Sequence, residues 1–207
     1  MLDTVILIVF AVLPAIVLHE VAHGLVALKM GDPTAKTLGR LTLNPIKHID
    51  PLGSIIIPGA MFLAYYFKLT SSLILFGWAK PVPVNFGNLK PRRLGIILVA
   101  IAGPLVNIIL AVILIQLYKL PALAQWNYVL GWGILFNLTL AVFNMVPIPP
   151  LDGSRVVMGL LPRTLAYQYS RLEPFGLIIV VVLLQLGMLQ FLYPVISHLG
   201  YLLGISI

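Results

Sequence analysis

The sequence predicts an all-α polytopic membrane protein with about five to six membrane helices or hairpin segments, joined by short re-entrant β or extended elements. The 207 residues are 60% apolar and 9% charged, with a mean hydropathy of +1.07, far outside the balance of a soluble globular domain. Apolar runs of membrane-spanning length alternate with breaks rich in proline and glycine. We therefore expect residues 1–207 to form a single membrane-embedded domain surrounded by the lipid bilayer.

The composition also excludes several kinds of site. The net charge is +7, but the basic residues lie singly at the ends of apolar runs and are not grouped with stacking aromatics, so nucleic-acid binding is not expected. The chain has no cysteine, so a zinc site would have to use histidine and carboxylate ligands. Asp3 occupies the region that a secretory signal keeps positive, so no cleaved signal is expected.

The first apolar run covers residues 4–28 and carries one charged residue, Glu20. At 1.5 Å per residue this run would extend about 37 Å, enough to cross the hydrocarbon core. The run predicts a spanning helix that Pro14 kinks and that ends at Gly31-Asp32-Pro33.

Two histidines and a carboxylate lie inside this helix, as His19-Glu20-Val21-Ala22-His23. A step of four residues places His19 and His23 about 40° apart on one face, so both imidazoles can reach one ion. Glu20 lies about 100° from His19, close enough to act on a water molecule without being a ligand. Each histidine alone is more simply explained as a core residue. Together they favour a metal, because each such group at bilayer depth costs roughly 2.5 to 3.5 kcal/mol without a partner.

A second polar interruption, at residues 144–153, ends in an acid followed by glycine, Asp152-Gly153. Three prolines within residues 147–150 break any helix and leave carbonyl groups free. This pattern fits unwound backbone that presents Asp152 to a metal. Alternatively, the break marks the membrane surface and Asp152 caps a helix that begins at Ser154.

Between these motifs the chain is less regular. Residues 36–51 predict a short hairpin or re-entrant ribbon whose extended edge could pair with an unwound substrate strand. Within it, His48 and Asp50 could serve as extra ligands, although a solvated loop is the simpler interpretation. Residues 52–67 approach spanning length and residues 69–78 do not, so we expect them to form a hairpin.

The remaining pattern predicts further helices, an amphipathic one among them, and a short tail: 94–118, 127–143, 154–172 (amphipathic), 175–196 and 197–207. Residues 77–85 are proline-rich and should be extended. Asn107 lies among small residues in 102–107, a pattern that favours a packing role over a place in the site. His198 is expected at the surface.

The charges predict the topology. If Asp152 is to meet the two histidines, the first and fourth runs must cross in the same direction and residues 52–78 must leave one side and return to it. Eleven lysines and arginines then fall on the side that follows His23, and Lys68 and Lys119 fall on the other. This bias identifies the first side as cytoplasmic. We therefore expect the site inside the membrane, nearer its cytoplasmic face.

With both motifs in place, the chain resembles the site-2 protease family of intramembrane zinc metalloproteases, in the short form without a soluble PDZ or CBS domain. The resemblance rests on His19 to His23, on residues 144–153 (the family's N-x-x-P-x-P-x-L-D-G), and on residues 77–85 and 102–107 between them. It covers most of the chain. An obvious additional N-terminal helix and a regulatory module are missing from the pattern, which leaves gating and regulation unpredicted.

The resemblance implies one Zn²⁺ per chain, held by His19, His23 and Asp152, with Glu20 as the catalytic acid/base. It also implies that Asn144, and less directly Asn107, contact substrate or the developing oxyanion. The expected substrate is a transmembrane helical protein, cut in regulated intramembrane proteolysis or in clearance of membrane proteins. Two other hypotheses stay open: a metal carrier or sensor without hydrolysis, and a structural subunit whose zinc has a fourth ligand such as His48.

Overall fold

The computed structural model describes residues 6–70 and 77–205. Nine α-helices lie within these residues, namely α1 (Leu13–Lys29), α2 (Thr34–Thr37), α3 (Ile57–Tyr66), α4 (Arg92–Tyr118), α5 (Asn127–Asn144), α6 (Asp152–Leu160), α7 (Arg163–Ser170), α8 (Glu173–Gln185) and α9 (Leu192–Leu202). Short π-helical turns precede α1 and α3, and 3₁₀ turns lie at Pro45–His48 and Pro121–Trp126. The expectation about Asp3 lies outside the described residues.

Three segments are long and apolar enough to cross a membrane: Val9–Lys29, Arg92–Tyr118 and Pro121–Asn144. The pair formed by α7 and α8 would add a fourth span, although it bends by 62° at its break. The all-α prediction is confirmed for the described residues, but the count of five to six membrane segments is not. The predicted hairpin over 52–78 lies partly outside the described residues, and its described arm, Pro51–Tyr66, is shorter than a span.

The core forms where α4 packs against both α1 and α5. Ala111 and Ile115 on α4, and Ile134 and Leu138 on α5, are fully buried and lie four residues apart on their helices. Gly133 allows close approach, because a Cβ atom there would lie 3.1 Å from Leu114 Cδ1. Such close packing supplies the attraction between helices in lipid, where the hydrophobic effect gives little. It fixes α1 and α4, which carry most of the candidate site.

The hairpin or re-entrant ribbon predicted within residues 36–51 is not confirmed, because the described residues there contain no strand. Asn44 Oδ1 instead accepts a hydrogen bond from Ile46 N and starts a 3₁₀ turn at Pro45. An asparagine cap followed by proline therefore outweighs the local β-branched content. His48 is also not solvated: it is 3% exposed and its Nε2 lies 2.8 Å from Thr42 O.

Two predicted long helices are each divided in the structure. The amphipathic helix over 154–172 becomes α6 and α7, because Pro162 has no N–H and holds Leu161 extended with ψ 151°. The last run over 175–196 breaks at Gly187, whose φ of +67° suits glycine, and α9 begins only at Leu192. His198 is exposed, as expected.

The end of α1 is tied to the loop that follows the extended residues 77–84. Asp32 is fully buried, and its carboxylate accepts hydrogen bonds from Thr34 N and Oγ1, from Asn85 N and from Asn88 Nδ2. Lys90 N also donates to Met30 O. These bonds hold the extended residues alongside α1, the helix that carries His19, Glu20 and His23.

Candidate metal centre

The two histidines of α1 lie on one face, as their spacing predicts. Their Nε2 atoms are 3.0 Å apart, and the side chains of His19 and His23 are both buried. The rings meet edge to face with an interplanar angle of 82°. One nitrogen of each ring therefore points to a shared position beside the helix.

The other ring nitrogens are held from α4. His19 Nδ1 lies 2.6 Å from Asn107 Oδ1, and His23 Nδ1 lies 2.6 Å from Val99 O. Both partners are acceptors, so each Nδ1 carries the proton and each Nε2 keeps its lone pair. Hydrogen bonds of this kind fix the tautomer and the ring orientation of metal-ligating histidines.

The orientation of the Asn107 amide follows from a chain of contacts that ends on the backbone of α5. Gly133 O can only accept, so the atom of Asn137 that lies 2.8 Å from it is Nδ2. Asn137 Oδ1 then faces Asn107 Nδ2 at 2.8 Å, and Asn107 Oδ1 is left for His19. The hydrogen-bonding partners therefore determine the orientation of the Asn107 side-chain amide.

Asp152 completes the group. Its Oδ2 lies 3.2 Å from His19 Nε2 and 3.3 Å from His23 Nε2, and it is buried without a hydrogen-bond partner. A tetrahedral zinc ion with bonds of about 2.1 Å would set its ligand atoms roughly 3.4 Å apart. The triangle of 3.0, 3.2 and 3.3 Å thus fits zinc, and two imidazoles with one carboxylate are a donor set of catalytic zinc sites.

Asp152 reaches the histidines because the chain around it is closely packed. It is the first residue of α6, and Leu151, the residue at the N-cap, makes no side-chain capping bond. A Cβ atom at Gly153 would lie 2.2 Å from Met145 O, so only glycine allows the backbone to approach so closely. The alternative in which Asp152 merely caps a helix from Ser154 is wrong, because α6 starts at Asp152 itself.

The proline break between α5 and α6 is fixed from the outside by α7 and α8. Tyr169 Oη donates to Pro147 O at 2.6 Å. A Cβ atom at Gly176 would lie 2.1 Å from Pro149 O, so α8 packs directly on the backbone of the break. Arg155 forms an ion pair with Glu173, which joins α6 to α8. The Asp152 carboxylate therefore stands on backbone that α7 and α8 hold from outside.

Glu20 lies next to the cluster but is not part of it. The described residues contain a possible metal cluster of His19, His23 and Asp152, and Glu20 is absent from it. Glu20 Oε2 accepts a hydrogen bond of 2.7 Å from Val82 N of the extended residues. A carboxylate beside the ligands, held by one oxygen, suits a group that exchanges protons.

The structure separates the two predicted asparagines. Asn107 is fully buried and uses both side-chain polar atoms in hydrogen bonds, to His19, Asn137 and Ala15 O. Asn144 is the last residue of α5, and its Nδ2 donates to Leu140 O in the same helix. The location of Asn107 favours a positioning role, and substrate contact by Asn144 stays a prediction.

The sequence did not predict the individual roles of four contributors to the site, although Gly103 and Val82 lie within residues 102–107 and 77–85 on which the resemblance rests. Gly103 lies against both imidazoles, since a Cβ atom there would be 2.4 Å from His23 Nε2 and 2.6 Å from His19 Nε2. Asn137, a polar residue within an apolar helix, could have been found from that pattern. Val99 and Val82 act through backbone atoms, for which the sequence carries no signal.

Comparison with known proteins assigns the family. The model of peptidase family M50 matches residues 114–187. The protein called Putative zinc metalloprotease YwhC of Bacillus subtilis is 41% identical over 186 residues, covering 84% of this chain and 78% of that protein. The protein called Putative zinc metalloprotease Rip2 of Mycolicibacterium smegmatis is 31% identical over 183 residues, covering 86% and 66%. No solved structure gives a significant match.

The resemblance and the comparisons agree with the donor set that the structure brings together. The YwhC alignment extends over most of both chains, and the family match includes Asp152. The chain therefore belongs to peptidase family M50, the site-2 protease family, and is a zinc metalloendopeptidase of membranes.

Proposed function

We propose that this chain is a multi-pass intramembrane protease that hydrolyses peptide bonds within or next to transmembrane helices of membrane-protein substrates. One observation carries the proposal: His19 Nε2, His23 Nε2 and Asp152 Oδ2 form a triangle, and both histidines share with Glu20 a helix apolar enough to span the bilayer. Regulated intramembrane proteolysis and clearance of membrane proteins are the two processes that such a reaction would serve.

Each residue of the site takes one role. His19, His23 and Asp152 hold Zn²⁺, which when bound polarises the peptide carbonyl and makes a water molecule more acidic. Glu20 accepts a proton from the attacking water and then donates it to the nitrogen of the leaving amine, so no net proton is consumed by the enzyme. Asn107 positions His19, and Asn144 is proposed to contact the substrate.

The substrate must unwind locally before it is cut, because a helical carbonyl is shielded by its own hydrogen bond. Water and the unwound strand need a polar route, and residues 36–51 and 144–153 are proposed to line it. The charge bias supports a cytoplasmic location for these loops. The active site would then lie within the bilayer, nearer its cytoplasmic face.

The test compares purified wild type with two variants on a single-pass substrate in detergent, with zinc content measured in parallel. Glu20→Gln should retain zinc and lose cleavage, because the amide cannot accept the proton. Asp152→Ala should lose both, because one ligand is gone. Full cleavage by either variant would refute these roles.

The two non-hydrolytic hypotheses gain no support from the described residues. A carrier would need several ligand sets in succession, whereas the cluster found in residues 6–70 and 77–205 is the one at His19. A closed structural site would need a fourth ligand, and His48 is not among the clustered residues His19, His23 and Asp152. Zinc uptake into protein-containing vesicles without any peptide-bond cleavage would revive the carrier.

A further inference from the structure

Residues 79–84, within the extended residues 77–84, contact the proposed catalytic carboxylate of Glu20 through a backbone donor. Val82 N lies 2.7 Å from Glu20 Oε2, and Val82 is 6% exposed. Its neighbours are Pro81 and Pro83, which have no N–H. Val82 is therefore the one residue in this tripeptide that can donate a backbone hydrogen bond to Glu20.

The extended residues are fixed on both sides of Val82. Arg40 donates from Nη2 to Lys80 O at 2.9 Å and to Pro81 O at 3.3 Å, and Lys80 N donates to His48 O at 2.9 Å. On the other side, Asn85 N donates to the buried carboxylate of Asp32 at 2.7 Å. These anchors act on backbone atoms, so Val82 N is held at a set place.

Packing brings the same residues against α1 one turn beyond Glu20. A Cβ atom at Gly24 would lie 2.8 Å from Val82 Cγ1 and 2.4 Å from Leu41 Cδ2. The absence of a side chain at Gly24 therefore lets the extended residues lie close enough for Val82 N to reach Glu20. A larger residue there would require the side chains of Val82 and Leu41 to move.

We propose that the Val82 N–H is a positioning group for the catalytic glutamate. It holds Oε2 of Glu20, so Oε1 is the oxygen that takes the proton from water and returns it to the amine nitrogen. The Val82 proton itself is not transferred. The proposal rests on the proposed function. A glutamate side chain has three rotatable bonds, and a displacement of about 1 Å at a reacting group can cost on the order of 100-fold in rate.

The deciding variant is Val82→Pro, which removes the N–H and keeps a residue of similar size. Because Val82 precedes a proline, its backbone is already restricted to the extended region that proline adopts. We expect kcat to fall by about 10- to 100-fold while KM and zinc content change by less than about twofold. Val82→Thr keeps the backbone N–H and the branched side-chain shape, so this variant should retain most of the wild-type kcat.

Val84→Pro is the matched control, because it makes the same chemical change two residues away without removing a bond to Glu20. Its kcat should stay within about threefold of wild type if only the Val82 donor matters. Equal kcat values for Val82→Pro and Val84→Pro would overturn the proposal. Full activity of Glu20→Gln would instead overturn the proposed function, so the two failures are distinguishable.

Hydrogen exchange supplies a second test that does not depend on activity or on folding of the proline variant. Residues 79–84 carry few amide protons, and the proposal requires the one on Val82 to be protected by Glu20. In a peptide that covers these residues, one more amide proton should exchange rapidly in Glu20→Ala than in wild type. Unchanged exchange would show that the contact does not form.

Discussion

The two halves of the candidate metal centre are held in different ways. His19 and His23 come from one continuous helix, and each ring is oriented by a hydrogen bond that it donates to an oxygen atom on α4. Asp152 follows a proline break, and its Oδ2 has no hydrogen-bond partner. Its place is set instead by backbone packing at Gly153, beside it in the chain, and at Gly176 of α8. The histidine half therefore depends on side-chain hydrogen bonds together with the missing side chain at Gly103, whereas the carboxylate half depends chiefly on close packing of backbone at glycines.

This difference predicts that the two halves fail by different substitutions. Polar contacts can be removed one at a time and should lower metal affinity in steps. A side chain can rotate away from a new methyl group, but a backbone atom cannot. Adding one methyl group at a glycine that packs against backbone should therefore displace the whole Asp152 carboxylate.

The largest effect is expected from Gly153→Ala. The new Cβ would meet Met145 O at 2.2 Å and Val146 O at 2.6 Å, both backbone atoms. We expect loss of zinc at stoichiometric concentration and a fall in cleavage of at least about 100-fold. Zinc content and substrate cleavage are the measurements.

Gly59→Ala is the control, because nothing lies within 4 Å of a Cβ atom at that position. It should bind zinc and cleave substrate like wild type. Normal zinc binding by Gly153→Ala would mean that the break adapts and that backbone packing does not fix Asp152.

Gly103→Ala tests the histidine half by the same chemical change. The Cβ would lie 2.4 Å from His23 Nε2 and 2.6 Å from His19 Nε2, so the rings must rotate away from the shared position. Zinc affinity should fall by about 10- to 100-fold, the size seen when the support of a metal ligand is lost. A competition titration against a chelating dye measures this affinity.

The matching control is Gly131→Ala, where the nearest atom to a Cβ would be Tyr118 Cε2 at 3.8 Å. Both variants add a methyl group within a helix, which by itself favours helix by about 1 kcal/mol. Because the methyl group at position 131 meets no close atom, the temperature of thermal unfolding of Gly131→Ala should not fall below that of wild type. Equal zinc affinities in the two variants would contradict the position of Gly103 against the imidazoles.

The histidine half was the part of the site that the sequence predicted best. Two histidines four residues apart must share a helix face, and no knowledge of the rest of the fold is needed for that conclusion. Asp152 lies far along the chain, so its arrival depends on how α1, α4 and α5 pack. The sequence supplied that ligand by resemblance to a family and by the proline break, not by spacing.

The errors in the fold prediction also have physical causes. The ribbon over 36–51 was predicted from β-branched residues, whereas the turn chemistry of Asn44 and Pro45 decided the structure. Pro162 and Gly187 divide two apolar runs that hydropathy alone treats as continuous. Burial of His48 and donation by Val82 N depend on backbone contacts across the chain, which no local pattern records.

Asn107→Leu should have an intermediate effect on the histidine half. Leucine removes the acceptor for His19 Nδ1, so the imidazole loses its fixed tautomer and Asn137 loses a donor. We expect zinc affinity to fall by about 10-fold or somewhat more. Asn107→Asp keeps an acceptor for His19 and should bind zinc more tightly than Asn107→Leu. Zinc affinity that is the same in both variants would show that the acceptor does not matter.

The smallest effect concerns Asp32, which ties the end of the histidine helix to the loop after the extended residues. Burial alone would raise the pKa of Asp32, but hydrogen bonds from Thr34, Asn88 and Asn85 outweigh it and hold the pKa below its ordinary value. Because the folded pKa lies below the unfolded value of about 3.9, the carboxylate stabilises the fold fully above that pH. The stabilisation is lost as pH falls through the folded pKa.

Thermal unfolding of wild type and of Asp32→Asn between pH 6 and about pH 3 measures this contribution. The amide has no proton to gain in this range, so the variant should unfold at lower temperature at pH 6 and the gap to wild type should narrow as the pH falls. Zinc affinity at neutral pH should change little, because the backbone that positions Asp152 does not pass through this contact. A difference in unfolding temperature that stays constant with pH would mean that the Asp32 carboxyl has the same pKa in the folded and unfolded chain. The contribution of Asp32 to stability would then not come from its charge.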